Sequence, residues 1–159
     1  MAEGRVVTFG VRGIVSCLES ASGKLLWRKN DFPDAWPRFF TSASPIIVDG
    51  ACIVQVGAPD NGGVVAYDLS TGNQRWKWEG DGPAYASPVL LTVEGTKQIV
   101  TLTANNIVGI NAKDGQLAWQ TGFVPQRRAY NAATPIVNGT TVVYTGAGRG
   151  TKAVKIIKK

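Results

Sequence analysis

Histidine is absent from this sequence of 159 residues, and cysteine occurs only twice. Without histidine the chain lacks the commonest general base and the commonest zinc ligand, and it cannot form a Ser–His or Cys–His catalytic pair. Two cysteines are too few for a disulfide framework, and Cys17 and Cys52 each lie in an apolar run. We therefore expect both to be buried, unpaired residues of the core.

Long apolar runs are also missing. No stretch reaches the length of a membrane span, and residues 1–20 lack the continuous apolar core of a signal peptide. The net charge is +6, and four of the lysines fall in the last eight residues. The basic residues are not interleaved with stacking aromatic residues, which argues against nucleic acid as a partner. We expect neither membrane insertion nor nucleic-acid binding.

Turn-forming residues are plentiful, with 19 glycines and eight prolines. No apolar period of 3.6 residues appears, which excludes helical solenoids. Short apolar runs are separated by turn signals such as Asp49-Gly50, a pair typical of tight β-hairpins. The segment from Ser44-Pro45 to Trp78 predicts four short antiparallel strands, A to D, with a glycine-rich loop at residues 57–63 between strands B and C.

Two markers repeat along the chain with a common period. A Gly-x-x-x-Trp pattern recurs with its tryptophans 49 and then 43 residues apart, and a Ser/Thr-Pro pair followed by an apolar run comes after each tryptophan, at Ser44-Pro45, Ser87-Pro88 and Thr134-Pro135. Four strands in a repeat of about 45 residues indicate a blade of a β-propeller. The pattern occupies Gly23 to Trp27, Gly72 to Trp76 and Gly115 to Trp119.

The repeated glycine and tryptophan have structural explanations. The glycine falls at a turn position that favours positive φ, which glycine adopts without steric cost. A large ring on the outermost strand can then lie on the next blade and bury roughly 150–250 Å². We expect Trp27, Trp76 and Trp119 to dock adjacent blades together.

The pattern of the second repeat, with Ala66, Asp68, Thr71, Gly72 and Trp76 in register, resembles the tryptophan-docking motif of PQQ-like repeats. Such repeats build eight-bladed quinoprotein dehydrogenases and the non-catalytic, BamB-type outer-membrane assembly lipoproteins of bacteria. The resemblance spans essentially the whole chain and implies an all-β propeller. It implies fold more than function, because the motif joins blades and is not an active site. Since such proteins are mostly exported, a periplasmic or cell-envelope location follows if the parent protein carries an export signal.

Aligning the repeats divides residues 1–159 into blades at 1–30, 41–79, 84–121 and 131–159. The first blade lacks strand A and the last lacks strand D, which gives fourteen strands. We expect part of a ring of about eight blades. An open arc leaves sheet edges and faces exposed, so we also expect two copies to associate as a homodimer that completes the ring.

One face of the predicted propeller carries the D-to-A and B-to-C loops, and it collects arginines. Planar guanidinium groups suit bidentate recognition of carboxylate or phosphate. The alternatives are that these arginines are solvated, or that they pair with nearby acids such as Asp81. The predicted binding face comprises Arg12, Arg38, Arg127, Arg128, Tyr130, Asn131 and Arg149.

The residues favour binding over catalysis. The resemblance implies that a dehydrogenase would hold PQQ between a tryptophan and a disulfide of adjacent cysteines, beside a calcium ion and a catalytic aspartate. This chain has no adjacent cysteines, and Trp36 is the one tryptophan that falls on the loop face. We expect a non-catalytic scaffold without cofactor that binds a protein or a small anionic ligand. The alternatives are a fragment of a PQQ-dependent dehydrogenase, with calcium and catalytic residues elsewhere, and a ligand-sensing propeller attached to a signalling protein.

Overall fold

The computed structural model describes residues 1–157, and the regular secondary structure of this range is antiparallel β-sheet without helices. Lys158 and Lys159, the end of the predicted fourth blade, lie outside the described residues. Four sheets follow one another along the chain, with three, four, four and three strands, and within each sheet the strands pair in sequence order. The predicted all-β class and strand count are confirmed: these are propeller blades, of which the first and last are three-stranded.

The strands keep the order in which the chain supplies them. Sheet 1 contains β1–β3, sheet 2 β4–β7, sheet 3 β8–β11 and sheet 4 β12–β14. The strand bounds are β1 Arg5–Phe9, β2 Val15–Glu19, β3 Leu25–Lys29, β4 Ile46–Val48, β5 Ala51–Ala58, β6 Asn61–Asp68, β7 Gln74–Trp78, β8 Val89–Val93, β9 Thr96–Leu102, β10 Asn106–Asn111, β11 Leu117–Gly122, β12 Ile136–Asn138, β13 Thr141–Gly146 and β14 Gly150–Lys155. Within residues 1–157 no helix is long and apolar enough to cross a membrane.

Turn chemistry sets the register of sheet 2. Asp49 and Gly50 connect β4 to β5 with φ of 48° and 66°, the left-handed pair that a two-residue hairpin requires. The predicted loop at residues 57–63 is wrong, because β5 and β6 remain paired as far as Ala58 and Asn61. The glycines in this segment allow neighbouring strands to approach closely. A Cβ built on Gly63 would lie 2.0 Å from the carbonyl oxygen of Trp78.

The hydrophobic core lies between successive sheets. One cluster joins sheets 1 and 2, a second joins sheets 2 and 3, and a third joins sheets 3 and 4. Cys17 and Cys52 both belong to the first cluster, and both are buried and unpaired, as predicted. Burial raises the pKa of the Cys52 thiol to about 12, so this side chain is an apolar packing group at neutral pH.

Two tryptophans contact the following sheet in the same way. The indole Nε1 of Trp27 donates to the carbonyl oxygen of Leu69 at 2.9 Å, and that of Trp76 donates to Ala112 at 3.0 Å. Each ring covers a glycine with φ near that of a left-handed turn: a Cβ on Gly72 would lie 2.8 Å from the Trp27 ring. Larger residues at this glycine would therefore clash with the indole of the preceding sheet.

Trp119 and Gly23 lack these contacts within residues 1–157. Trp119 is half-buried, and its Nε1 donates at 2.8 Å to Gln98 Oε1 of its own sheet, instead of to a carbonyl of sheet 4. Gly23 has a φ of 72°, like Gly72, but it is exposed and a Cβ there would meet nothing within 4 Å.

Candidate functional site

The two ends of the sheets differ in construction. The loop end carries the connections that follow β3, β7 and β11, together with the loops β1–β2, β5–β6, β9–β10 and β13–β14. The turn end carries the short turns β2–β3, β4–β5, β6–β7, β8–β9, β10–β11 and β12–β13. All of the arginines predicted to form a binding face belong to the loop end.

Five loops meet at the loop end around a cavity of about 290 Å³. Each of its four prolines comes from a different loop, and two tyrosines complete most of the wall. Proline fixes φ and donates no backbone hydrogen bond, so this wall is rigid and mostly apolar. We call it the proline–tyrosine cavity, lined by Pro37, Pro59, Pro83, Pro125, Tyr85 and Tyr130.

Three aromatic rings pack against one another at this cavity. The ring of Tyr130 meets Phe39 and Tyr85 edge to face, with centroids 5.2 Å and 5.5 Å away. The Tyr85 hydroxyl accepts a hydrogen bond from the Phe39 backbone N–H at 3.1 Å, so its own proton is free to be donated. The Tyr130 hydroxyl makes no hydrogen bond within residues 1–157. Two phenol donors are thus available beside the cavity.

Gln55 fixes one side of the site from inside the core. This side chain is 2% exposed, and its Nε2 donates to the carbonyl oxygen of Ala86 and to Thr101 Oγ1, both at 2.7 Å. Its Oε1 accepts from the backbone N–H of Ala84, which lines the cavity. The sequence signal for this role is a glutamine within an otherwise apolar run, which the sequence-based prediction missed.

Asp81 fixes a second side of the candidate site. Its carboxylate accepts from Thr103 Oγ1 and the Asn105 backbone N–H at 2.7 Å, and from Asn106 Nδ2 at 2.8 Å. Burial raises the pKa of this carboxyl, but the hydrogen bonds outweigh burial and hold the pKa below its ordinary value. Asp81 therefore joins the β7–β8 connection to the β9–β10 loop, and it does not neutralise an arginine.

Asn131 and Arg149, two predicted binding residues, have internal partners. Asn131 is 1% exposed, and its Nδ2 donates to the carbonyl oxygens of Thr103 at 2.9 Å and Phe123 at 3.0 Å. The Nη1 of Arg149 donates to Asn131 Oδ1 at 2.9 Å, and its guanidinium lies 3.9 Å from the Phe123 ring centroid. Desolvation lowers the pKa of Arg149. Both side chains hold the loops that follow β11 and β13 together, so the Asn131 amide is not open to a ligand.

The remaining predicted arginines differ in their distance from the cavity. Arg38 lines it, with its guanidinium 5.7 Å from the Phe39 ring centroid. Arg127 lines an adjoining, more open concavity of about 580 Å³ that shares Ala129 with the cavity. Arg12 lies 5.3 Å from the ring centroid of Trp36 at the margin of the loop end. Arg128 is exposed and has a φ of 58°.

None of the five loop-end arginines forms an ion pair with another residue in the 1–157 range. The three ion pairs there are Arg75–Asp68, Lys77–Glu79 and Lys97–Asp49. A second concavity, of about 540 Å³, lies at the turn end and is also lined by cations, Arg75 and Lys97 among them. Those two cations already have carboxylate partners, so we place the candidate site at the loop end, where the guanidinium groups lack them.

The described residues do not fit PQQ and calcium as the resemblance would place them. Residues 1–157 bring together no group of three or more His, Cys, Asp or Glu side chains that could hold a metal ion. The two cysteines are buried in separate strands. Trp36 is stacked on Phe40, with centroids 6.0 Å apart. This stretch of chain has neither the cysteine pair nor the acidic ligand set for that chemistry.

The family model described as outer membrane protein assembly factor BamB matches residues 1–157. The chain belongs to this BamB-like family of PQQ-like repeats. No curated protein matches the chain.

Solved structures share the fold. The crystal structure of BamB from Moraxella catarrhalis superposes with a TM-score of 0.71 at 15% identity, over 96% of this chain and 43% of that one. A europium-containing methanol dehydrogenase gives 0.73 at 16% identity, over 98% and 38%. The computationally designed Ika4 protein gives 0.69 at 17% identity, over 98% and 88%. This chain therefore spans less than half of the BamB and dehydrogenase chains.

Proposed function

We propose that this BamB-like propeller segment is a non-catalytic scaffold that binds a partner at its loop end. The observation that carries the proposal is the set of guanidinium groups without carboxylate partners beside a rigid, mostly apolar cavity. Such a surface combines apolar contact area with hydrogen-bond donors, as binding sites do. The partner is a protein or a small anionic ligand, and the site of action is the bacterial cell envelope, in keeping with the family.

A fragment of a PQQ-dependent dehydrogenase is the second candidate, and its support is the likeness to the methanol dehydrogenase and to quinohemoprotein alcohol dehydrogenases. Titration of the purified chain with PQQ and calcium, followed by absorbance, separates the two functions. The scaffold predicts no saturable change in the PQQ spectrum. Stoichiometric binding would reject the scaffold in favour of the dehydrogenase.

We further propose that the isolated chain associates as a homodimer. Sheets 1 and 4 each have one face that no other sheet of the described chain covers, and Ile136 on β12 is 66% exposed. Uncovered faces and edge strands favour self-association. Sedimentation equilibrium should give twice the mass of the chain, and a monomer at all concentrations tested would reject the dimer while leaving the scaffold function untouched.

A further inference from the structure

The proline–tyrosine cavity has a donor-rich, acid-free lining. Its polar groups include the Tyr85 and Tyr130 hydroxyls and the Arg38 guanidinium, and no carboxylate lines it. The carboxylate of Asp81, on the connection that also carries Pro83 and Tyr85, is saturated by Thr103, Asn105 and Asn106. A group that enters the cavity therefore meets hydrogen-bond donors and positive charge around an apolar wall.

The size and shape of the cavity favour one inserted side chain. A volume of about 290 Å³ lies at the lower limit for small-molecule sites, which hold roughly 300–1,000 Å³. Ala129 also lines the neighbouring open concavity, together with Gln126 and Arg127. Two adjoining concavities suit an extended peptide whose side chains alternate between pocket and solvent.

We propose that the proline–tyrosine cavity receives one bulky apolar side chain from an extended, acidic peptide segment of a protein partner. Carboxylates that flank this side chain contact Arg38 at one end and Arg127 at the other. The wall contributes ring packing from its prolines and tyrosines, in the way that aromatic grooves recognise extended chains. This inference rests on the scaffold function proposed above and specifies the chemistry of the partner.

The enclosure of the cavity by loops favours a peptide over a lipid surface. Phe39 and Val124 are each 60% exposed at the loop end, as membrane-contacting residues would be. Asp34, Asp60 and Glu79 are also exposed at this end and act alike on an acidic peptide and on an anionic bilayer, so charge does not separate the two partners. Four prolines from different loops line the cavity, so a peptide side chain can enter between the loops and a flat bilayer cannot.

Selection from a library of short random peptides displayed on phage tests the proposal with the intact chain. The Tyr130→Ala variant serves for counter-selection, and circular dichroism melts establish that each variant is folded. We expect the enriched peptides to share a bulky apolar residue, or proline, flanked by aspartate or glutamate. Enrichment of basic peptides, or none beyond that on the Tyr130→Ala protein, would overturn the proposal.

Fluorescence anisotropy measures the affinity of an enriched peptide for variants of the chain. Variants with weakened affinity identify the residues that the peptide contacts. Tyr130→Ala, Arg38→Ala and Arg127→Ala should each weaken binding roughly tenfold. Lys113→Ala removes one exposed charge at the turn end and should leave the affinity unchanged. Equal affinities for all four variants would place the peptide elsewhere: the scaffold function would then stand and the cavity assignment would fail.

Vesicles of phosphatidylglycerol distinguish the lipid alternative in a flotation assay. The proposal predicts that the wild-type chain stays with the soluble fraction. Flotation that Arg38→Ala and Arg127→Ala abolish would assign these arginines to a membrane surface and overturn the peptide. Saturable PQQ binding, in contrast, would reject the scaffold function itself, so the two failures are distinguishable.

Discussion

The turn end and the loop end of the same sheets follow opposite rules. At the turn end the contacts repeat from sheet to sheet: Trp27 lies over Gly72 as Trp76 lies over Gly115, and the charges of Asp68 and Arg75 neutralise each other. At the loop end the backbone N–H of Ser44 donates to Ser87 Oγ as that of Ser87 donates to Thr134 Oγ1, but the side chains that fix the loops do not repeat. Gln55, Asp81 and Asn131 each fix a different loop, and the arginines have no carboxylate partners in the described chain.

This difference separates stability from recognition. A repeated contact must satisfy the same geometry in each blade, so its residues are set by packing between sheets. An unrepeated surface is free of that constraint, and rigid supports beneath exposed donors are typical of a binding site. We therefore expect substitutions at the turn end to change stability, and substitutions at the loop end to change binding.

The largest effect is expected for Trp76→Ala. The ring is 7% exposed and belongs to the cluster between sheets 2 and 3, and its Nε1 bonds to Ala112. Its removal leaves a cavity and an unpaired carbonyl, and should lower the free energy of unfolding by about 3–5 kcal/mol. Urea denaturation measures this quantity. A loss below about 1 kcal/mol would show that the ring does not hold the sheets together.

Gly72→Ala and Gly23→Ala form a matched pair. Both residues have positive φ, which costs an alanine about 1 kcal/mol, but only at Gly72 would the new Cβ also meet an indole ring. Gly72→Ala should therefore be less stable than Gly23→Ala by about another 1–3 kcal/mol. If urea denaturation gives the same decrease in the free energy of unfolding for both variants, the Trp27 ring moves aside without cost.

A smaller effect is expected from the turn-end ion pair. The hydrogen bonds from Arg75 and Thr71 lower the pKa of the Asp68 carboxyl from its ordinary value of 3.8 to about 2. A carboxylate with a depressed folded pKa adds stability above pH 4 or so and loses it as the pH falls towards 2. Thermal melts across this range should fall less steeply for Asp68→Asn than for the wild type. If the melting temperatures of the two proteins fall equally with pH, the Asp68–Arg75 ion pair contributes nothing to acid sensitivity.

The smallest change in stability is expected for the double variant Arg127→Ala, Arg128→Ala. Both side chains are exposed, and neither forms an ion pair in the described part of the chain. The free energy of unfolding should stay within about 0.5 kcal/mol of the wild type, while affinity for an acidic peptide falls. A loss as large as that of Gly72→Ala would place these arginines in the structural framework, and the contrast between the two ends would fail.

Local signals in the sequence were sufficient to predict the blades. The Gly-x-x-x-Trp repeat and the Ser/Thr-Pro pairs predicted four blades and fourteen strands, because each blade closes through contacts of short range. The loop at residues 57–63 was the main error in the fold. Its glycines suggested a turn, but they permit close approach between neighbouring strands, which depends on the backbone opposite and cannot be read locally.

The binding face was harder to predict than the fold. The positions of the loops in the sequence correctly assigned Arg38, Arg127 and Tyr130 to one end of the sheets. They could not distinguish an exposed guanidinium group from a bound one. The Nη1 of Arg149, for example, donates to the carbonyl oxygen of Phe123 and to Asn131 Oδ1. No sequence motif marked Gln55 or Asp81, because their hydrogen-bond partners lie in other sheets or loops. Their roles depend on long-range hydrogen bonds.

The sequence by itself determined the repeat, the all-β class and the absence of histidine chemistry, since each depends on composition or on neighbours within one blade. Only the tertiary structure decided which tryptophans reach the next sheet and which arginines remain without acids. It also decided that four prolines from different loops enclose one cavity. These outcomes depend on how successive sheets lie against each other, and a one-dimensional pattern does not contain that geometry.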